Sequence, residues 1–489
     1  MRLEKSLPVE MLKKRRKIVL LFSAAILFAL DSSFSAWFVL LPVLFLVKEL
    51  TFKDAWLYGG IYGVLSSVLY ATWLFSFSIP LMLCVCLLYF ALYAVLFEVL
   101  EFSKRTFKSF AWLFYVVVLV LFEYAKTLGF SGFGYGINGY TQYRNIYLIQ
   151  IADIFGVFGV SAILYLCSAV VFEVIKSVQE KRFSQRELFL LIMFFVLVSF
   201  YVVYGFVKVR LTERRDFSSE KITVAAIQHN PNPDGKNIAS YINDVRVLMS
   251  LTDKALDENP GIELVVWPET AVIPSILLNY RNPALNERQK IVEELLFYID
   301  SKNCAFLIGN FHSEKKDDYN SAYFFLPGKN VLPPNPYVYR KMHLVPFSEY
   351  LPFSEKLPRL KERINRKNNF LWTPGKERTV FALKMNDGKV FNFSSPICFE
   401  DTFGSDLKKF YKKGARAFVN LSNDAWSKSK RCQVQHLKMA VFRSVENHVP
   451  SVRSSASGET CIISSTGKIV ARSESFRKNY VTGEIPVLH

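Results

Sequence analysis

A chain of 489 residues that is 51% hydrophobic, carries 44 Phe and 24 Tyr, and has a mean hydropathy of +0.20 is not an ordinary soluble protein. Its net charge of +18 would suit nucleic acid, but no zinc-finger spacing, RNA-binding signature or basic-aromatic patch accompanies it. Much of the basic excess lies between apolar runs, where it suits membrane topology and anionic lipid surfaces.

From the N-terminus, apolar runs fall at 17–31, 33–50, 55–77, 78–100, 109–129, 156–178 and 187–209. Most approach the ~20 residues a helix needs to cross ~30 Å of hydrocarbon. Residues 1–209 are therefore predicted to form an α-helical transmembrane bundle of about seven helices. The first run follows Lys13-Lys14-Arg15-Arg16-Lys17. With six more runs behind it and no clear small-x-small cleavage site, it reads as an uncleaved helix rather than a signal peptide. Lys and Arg crowd the N-terminal tail, the turn with Lys48 and Lys53, and the loops with Lys104, Arg105 and Lys108 and with Lys181, Arg182 and Arg186. Around 130–155 only Arg144 appears. By the positive-inside bias the basic loops are cytoplasmic, and seven crossings place everything after residue 210 outside the cytoplasm. The glycine-aromatic loop 129–136 reads either as a re-entrant or lipid-facing stretch or as part of an aromatic belt.

After 221 the period changes. Residues 222–228 read as a buried strand, and Ile238, Tyr241, Ile242, Val245, Leu248, Met249 and Leu256 recur at helical spacing. Residues 264–267 make a strand stopped by Pro268, 286–302 an amphipathic helix, and 305–309, 321–326, 390–395 and 417–421 further strands. A helix over 433–448 precedes a closing hairpin, 460–464 with 468–471, turning at Thr466-Gly467. Such alternation predicts an α/β layered domain over 221–487. Segment 328–389 interrupts it with Pro333, Pro334, Pro336, Pro346, Pro352, Pro358 and Pro374. There apolar Phe347, Phe353, Phe370 and Trp372 mix with basic Arg359, Lys361, Arg363 and Arg366, a combination suited to loops touching a bilayer.

Three polar residues follow strand-like stretches: Glu269 after Val265-Val266-Trp267-Pro268, Lys341 after Val338-Tyr339-Arg340, and Cys398 after Pro396-Ile397. Strand ends are where loops of α/β folds gather into sites. A cysteine attacks a carbonyl only as thiolate; a carboxylate can take its proton, and an ammonium can steady both the thiolate and the tetrahedral oxyanion. A helix opening at Asp401-Thr402-Phe403 would add its dipole. Taken singly, each has a structural reading too: a packed cysteine, a surface acid, one lysine among many. The other cysteines offer no CxxC pair. Cys84, Cys86 and Cys167 lie in apolar runs, and whether any of Cys304, Cys398, Cys432 and Cys461 pair stays open.

The surrounding blocks carry more. Trp267-Pro268-Glu269-Thr270, Tyr339-Arg340-Lys341-Met342-His343-Leu344-Val345-Pro346-Phe347-Ser348-Glu349 and Pro396-Ile397-Cys398-Phe399-Glu400-Asp401 resemble the catalytic blocks of the nitrilase superfamily. The lysine block resembles most the apolipoprotein N-acyltransferase branch. So do Asn420-Leu421-Ser422-Asn423-Asp424-Ala425-Trp426, the stretch from His436 through Arg443, Glu446, Arg453 and Gly458, and in the apolar half Gly139-Tyr140-Thr141-Gln142 with 151–156. The resemblance implies a nitrilase-type αββα sandwich, Cys398 as nucleophile, Glu269 as general base and Lys341 as oxyanion-side cation. Glu349, Glu400 and Asn423 match supporting positions. It further implies a ping-pong reaction without metal or organic cofactor in a bacterial cytoplasmic (inner) membrane. A phospholipid, expected to be phosphatidylethanolamine, would acylate Cys398, and the chain would pass to the amine of a diacylglyceryl-cysteine apolipoprotein. A monomer is expected.

Some residues depart from the family pattern. Phe399 stands where many relatives have Tyr, Trp426 is followed by Ser427-Lys428, no tryptophan follows Gln228-His229-Asn230, and His448-Val449 replace a frequent Gly and Arg. No eighth apolar run follows the strand-like 480–485, so the C-terminus is expected outside. Two rivals follow: a membrane-tethered amidase or nitrilase using water as acceptor, and a degenerate paralogue that binds lipid without turnover.

Overall fold

The computed structural model describes residues 6–77, 79–129, 132–235, 237–280, 282, 286–315, 317–350, 372–385 and 387–489. Phe353, Arg359, Lys361, Arg363, Arg366 and Phe370 of the proline-rich segment lie outside the described residues, as does part of loop 129–136. The chain divides into two units, 1–208 and 209–489.

The first unit is helical: α1 (Ser6–Leu30), α2 (Leu41–Glu49), α3 (Phe52–Tyr70), α4 (Ile79–Phe107), α5 (Ala111–Lys126) and α6 (Val157–Gln179), with α7 (Gln185–Ser218) leading out of it. Among the described residues, three stretches are long and apolar enough to cross a membrane: Ile79–Lys126, Val157–Gln179 and Gln185–Ser218. Their free faces are apolar, as with Leu83, Leu87 and Val95 on α4 and Phe189, Phe195 and Val203 on α7. Large apolar side chains exposed in such numbers need lipid rather than water around them. The run predicted at 33–50 is not one helix. Asp31 holds a left-handed φ of +48° just before it, and Pro42 opens α2, which has nine residues. At 1.5 Å per residue that is about 14 Å, short of the hydrocarbon thickness. α3 and α4 approach closely through glycine: a Cβ on Gly63 would sit 2.3 Å from the Tyr89 carbonyl oxygen.

The second unit contains two main sheets. β1 (Lys221–Gln228), β2 (Leu264–Val266), β3 (Ala305–Glu314), β4 (Asp317–Phe325), β5 (Tyr337–Arg340) and β12 (Asn479–Pro486) form one, in the order β12-β1-β2-β3-β4-β5. β8 (Phe418–Ser422), β9 (Ser451–Ser455), β10 (Cys461–Ile463) and β11 (Ile469–Arg472) form the other, in the order β11-β10-β9-β8. The ribbon β6 (Phe381–Lys384) with β7 (Val390–Phe393) leads into two bridges, Ser394 to Phe418 and Ile397 to Leu421, that join the Cys398 segment to β8.

Both faces of the first sheet are buried. One packs on the second sheet and the ribbon through Val224, Val266 and Phe324 with Phe393, Val419 and Ile462. The other packs on α8 (Ile238–Glu258) and α9 (Glu287–Asp300) through Ile227, Trp267 and Phe306 with Val245, Leu248 and Leu295. The crossover between parallel β8 and β9 is α11 (Lys430–Asn447). None of its residues enters the intersheet core, so it covers the outer face of its sheet. The layers thus run helix, sheet, sheet, helix. The predicted hairpin of β10 and β11 forms, but it does not close the domain. β12 does, antiparallel to β1 over the whole strand.

Candidate active site

Glu269 sits three residues past β2, in a turn whose next residue, Thr270, takes a left-handed φ of +48°. β3 passes directly behind it. A Cβ on Gly309 would lie 2.3 Å from the Pro268 carbonyl oxygen and 2.7 Å from the Glu269 Cα, so only glycine lets the strand come this near. Asn310 then holds the outgoing loop, donating to the Val272 carbonyl at 2.6 Å and accepting from the Ile276 N–H at 3.1 Å.

Lys341 is the first residue after β5 and is 1% exposed. Its Nζ donates to Glu269 Oε1 at 3.0 Å and to Glu349 Oε1 at 2.8 Å. The second oxygen of Glu349 accepts the Val345 N–H at 2.7 Å, which curls the loop back over the lysine. Asn320 completes the cluster: its Nδ2 donates to Glu269 at 2.8 Å and Glu349 at 3.1 Å. A buried ammonium normally loses its proton readily. Burial does push Lys341 down, but the carboxylates of Glu269 and Glu349 outweigh it and hold the ammonium well above its usual range.

Cys398 opens a single 3₁₀ turn, Cys398–Thr402, with its backbone at φ +52°. A non-glycine residue in this region is strained, and the surroundings must fix it there. The helix considered over Asp401-Thr402-Phe403 forms as α10 (Gly404–Lys412), capped by Phe403, after the 3₁₀ turn that starts at the cysteine. Glu400 explains how the turn is held. One oxygen accepts the Ile397 N–H at 2.7 Å, and the other accepts the Met342 and His343 N–H groups at 2.8 and 3.1 Å. The Tyr339 hydroxyl donates to the same carboxylate at 2.8 Å. Glu400 therefore ties the cysteine turn to the lysine loop.

The Cys398 thiol is buried and held well above its usual range, first by burial and then by the Glu269 charge; Lys341 and the Asn423 N–H pull the other way. Burial and the Glu269 charge both favour the neutral thiol over the thiolate. The sulfur can attack a carbonyl only as its proton leaves to a base. Lys341 pairs directly with Glu269, the charges of both act on the Cys398 sulfur, and Glu349 braces the lysine while Glu400 braces the cysteine turn. Asn423 lies beside them. Its backbone N–H faces the sulfur, and its side chain donates to Thr270 Oγ1 at 3.4 Å.

Behind the cysteine lies a second buried network. Arg453, 1% exposed, donates to Asp401 at 2.7 Å, Asn420 at 3.0 Å, Ser422 at 2.8 Å and Asp424 at 3.0 Å. His436 reaches the Cys398 carbonyl oxygen through Nε2 at 3.1 Å; a carbonyl only accepts, so Nε2 carries a hydrogen. Burial alone would raise the Asp424 carboxyl, but His436 and Arg453 hold it down at about 2. Cys398, Asp424 and His436 offer metal-ligand atoms within 4.8 Å of one another. The Arg453 guanidinium, 2.9 Å from His436 Nδ1, already fills the cationic place there.

Sequence reasoning missed Asn320. The predicted strand began at Ser321, which left the asparagine outside, although a polar pair opening an otherwise apolar strand was the available signal. Of the departing residues, Phe399 packs edge-on against Phe403 at 5.1 Å. His448 caps α11 in the left-handed conformation that glycine adopts without strain. All seven cysteines are free thiols, so the disulfide left open by the sequence is not formed.

Comparison with known proteins shows the family. The Carbon-nitrogen hydrolase family profile matches residues 223–487, and the Apolipoprotein N-acyltransferase N-terminal domain profile matches 19–170. Apolipoprotein N-acyltransferase 1 of Treponema denticola is 37% identical, covering 96% of this chain and 90% of its own length. The protein of the same name from Treponema pallidum is 36% identical, with 93% and 85% covered. The chain belongs to the apolipoprotein N-acyltransferase family. That places it among acyltransferases within the nitrilase superfamily, and its apolar helices accord with membrane association. Apolipoprotein N-acyltransferase of Borreliella burgdorferi, at 30% identity over 79% of this chain and 71% of its own, is a more distant member.

Proposed function

We propose that the protein transfers a fatty acyl group from a phospholipid to the N-terminal amine of a diacylglyceryl-cysteine apolipoprotein, through a thioester on Cys398. Glu269 takes the thiol proton as the sulfur attacks the donor's ester carbonyl. Lys341 stabilises the tetrahedral oxyanion. The intermediate collapses to the thioester, and the lysophospholipid oxygen leaves with the proton from Glu269. The acceptor amine then attacks the thioester, gives its proton to Glu269, and the sulfur leaves to be reprotonated. Glu349, Glu400 and Asn423 position these groups rather than react. The observation that carries this reading is the buried Lys341 held between two carboxylates and electrostatically coupled to the Cys398 sulfur.

The same reading assigns residues 1–209 to a multi-pass bundle of about seven crossings, the second made by the irregular stretch 33–40 together with the short α2, with its N-terminus in the cytoplasm, and residues 221–487 to a catalytic domain outside the cytoplasmic membrane. It rests on the loop charge asymmetry. The protein would act as a monomer. A transfer assay with labelled phosphatidylethanolamine and a diacylated lipopeptide tests the chemistry. The wild type should N-acylate the peptide and Cys398→Ala should not. Release of free fatty acid without transfer would favour a hydrolase instead, and no turnover at all a binding paralogue.

A further inference from the structure

A cavity of about 570 Å³ opens within the catalytic unit beside the Asn423–Ala425 turn, a size ordinary for ligand sites. Asn232, Ser240 and Asn243 line it, with Pro231, Pro233 and Phe476 between them. Its connection to the chemistry is short. Ala425 forms part of the wall and donates its N–H at 3.2 Å to the side chain of Asn423, whose own N–H faces the Cys398 sulfur. Ser457 lines it as well, and the adjoining Gly458 lies against Asp424, where a Cβ would stand 3.3 Å from Oδ2.

Three lining residues, Asn230, Lys428 and Phe476, hold left-handed backbones at φ +47°, +47° and +60°. Such strain persists only where neighbours fix it, and it gathers at ligand sites. The neighbours are visible: the Asn230 N–H donates to the Ala456 carbonyl at 2.7 Å, its side chain donates to the Phe476 carbonyl at 3.0 Å, and the Phe476 N–H donates to the Ser457 carbonyl at 2.8 Å. The wall is therefore preformed.

An acyl chain would not satisfy amides and hydroxyls. An extended peptide would, because side-chain amides pair with backbone N–H and C=O groups whatever the peptide's sequence, while proline and phenylalanine faces pack its side chains. We infer that this cavity seats the acceptor polypeptide just downstream of its lipidated cysteine, as a sequence-tolerant peptide subsite. The inference rests on the acyl-transfer reading above and adds the part of the acceptor that the enzyme grips.

The test compares two acceptors, diacylglyceryl-cysteine amide and the same group carrying five further residues, in wild type, Asn243→Ala and Asn243→Trp. Asn243 is exposed at the cavity, so neither change disturbs a core. In the wild type the longer acceptor should have a KM about tenfold lower, the worth of one or two net hydrogen bonds. Asn243→Trp should raise the longer acceptor's KM to that of the short one and leave kcat and the short acceptor's KM alone, with Asn243→Ala intermediate. The rate of thioester formation from phospholipid, followed by mass spectrometry, should not move. Equal KM values for both acceptors in the wild type, or a variant that shifts both alike, overturns the peptide subsite while leaving acyl transfer standing. A wild type that forms no thioester overturns the transfer reading and the subsite with it.

Discussion

Replacing Lys341 with methionine removes the one cation from a cluster that is otherwise two carboxylates and an amide. The lysine contacts Glu269 at 3.0 Å and Glu349 at 2.8 Å while 1% exposed. At an effective dielectric of ~20, each contact corresponds to about 6 kcal/mol of attraction, much of it offset by desolvation. Deleting one partner of a buried pair costs about 3–5 kcal/mol, because the remaining charge is left uncompensated. In Lys341→Met the two acids would face each other across Asn320, and one is expected to take up a proton. Their protonation is then favoured in the folded state, so stability is present at low pH and lost as pH rises. The variant's deficit against wild type should shrink on acidification from pH 8 to 5. Catalytically, losing an oxyanion stabiliser costs about 10²–10³ in rate, and a protonated Glu269 no longer accepts the thiol proton. Thioester formation on Cys398, timed by mass spectrometry after mixing detergent-solubilised protein with phospholipid, should fall at least ~10³-fold. A rate within tenfold of wild type would refute the placement of Lys341 beside the reacting atoms. A deficit that grows on acidification would refute the electrostatic account of the cluster.

Asn320→Leu leaves Glu269 and Glu349 each short of an N–H, so stability should drop by about 1–3 kcal/mol and thioester formation by about 10–100-fold; an unchanged rate would show the amide to be dispensable. Arg453→Met strands the carboxylates of Asp401 and Asp424 at the centre of the second network, and should cost about 3–5 kcal/mol, read as a lower denaturation midpoint of the full-length chain. The Cys398 thiol, lifted above its usual 9.0 by burial and the Glu269 charge, should react with iodoacetamide more slowly than free cysteine. Its rate should climb with pH through 9 without a plateau, by site-resolved mass spectrometry; a plateau near pH 7 would mean a resting thiolate and a different role for Glu269.

Periodicity and placement of charge were enough to separate an apolar helical half from an α/β half, because the two kinds of element repeat at different intervals and lipid tolerates what water does not. The strands at 221–228, 264–266 and 418–422 were legible for the same reason: each is a short apolar run bounded by residues that stop it. Glu269, Lys341 and Cys398 could be singled out from the strands before them and the blocks around them. What no local pattern contains is contact between residues far apart in the chain. Asn320 lies inside β4, marked in the sequence only by its polar pairing with Ser321, yet it bridges two acids 51 residues before and 29 residues after it. The left-handed turn at Cys398 and the closure by β12 rather than by the β10–β11 hairpin were also decided by tertiary structure. Each depends on a partner brought in by folding: Glu400 reaching back to Ile397 and across to the lysine loop, and β1 waiting some 250 residues upstream for its last neighbour. Sequence determined which chemical groups were present and what kind of surface each half shows. Folding fixed their distances and burial, and through those the charge state of the sulfur.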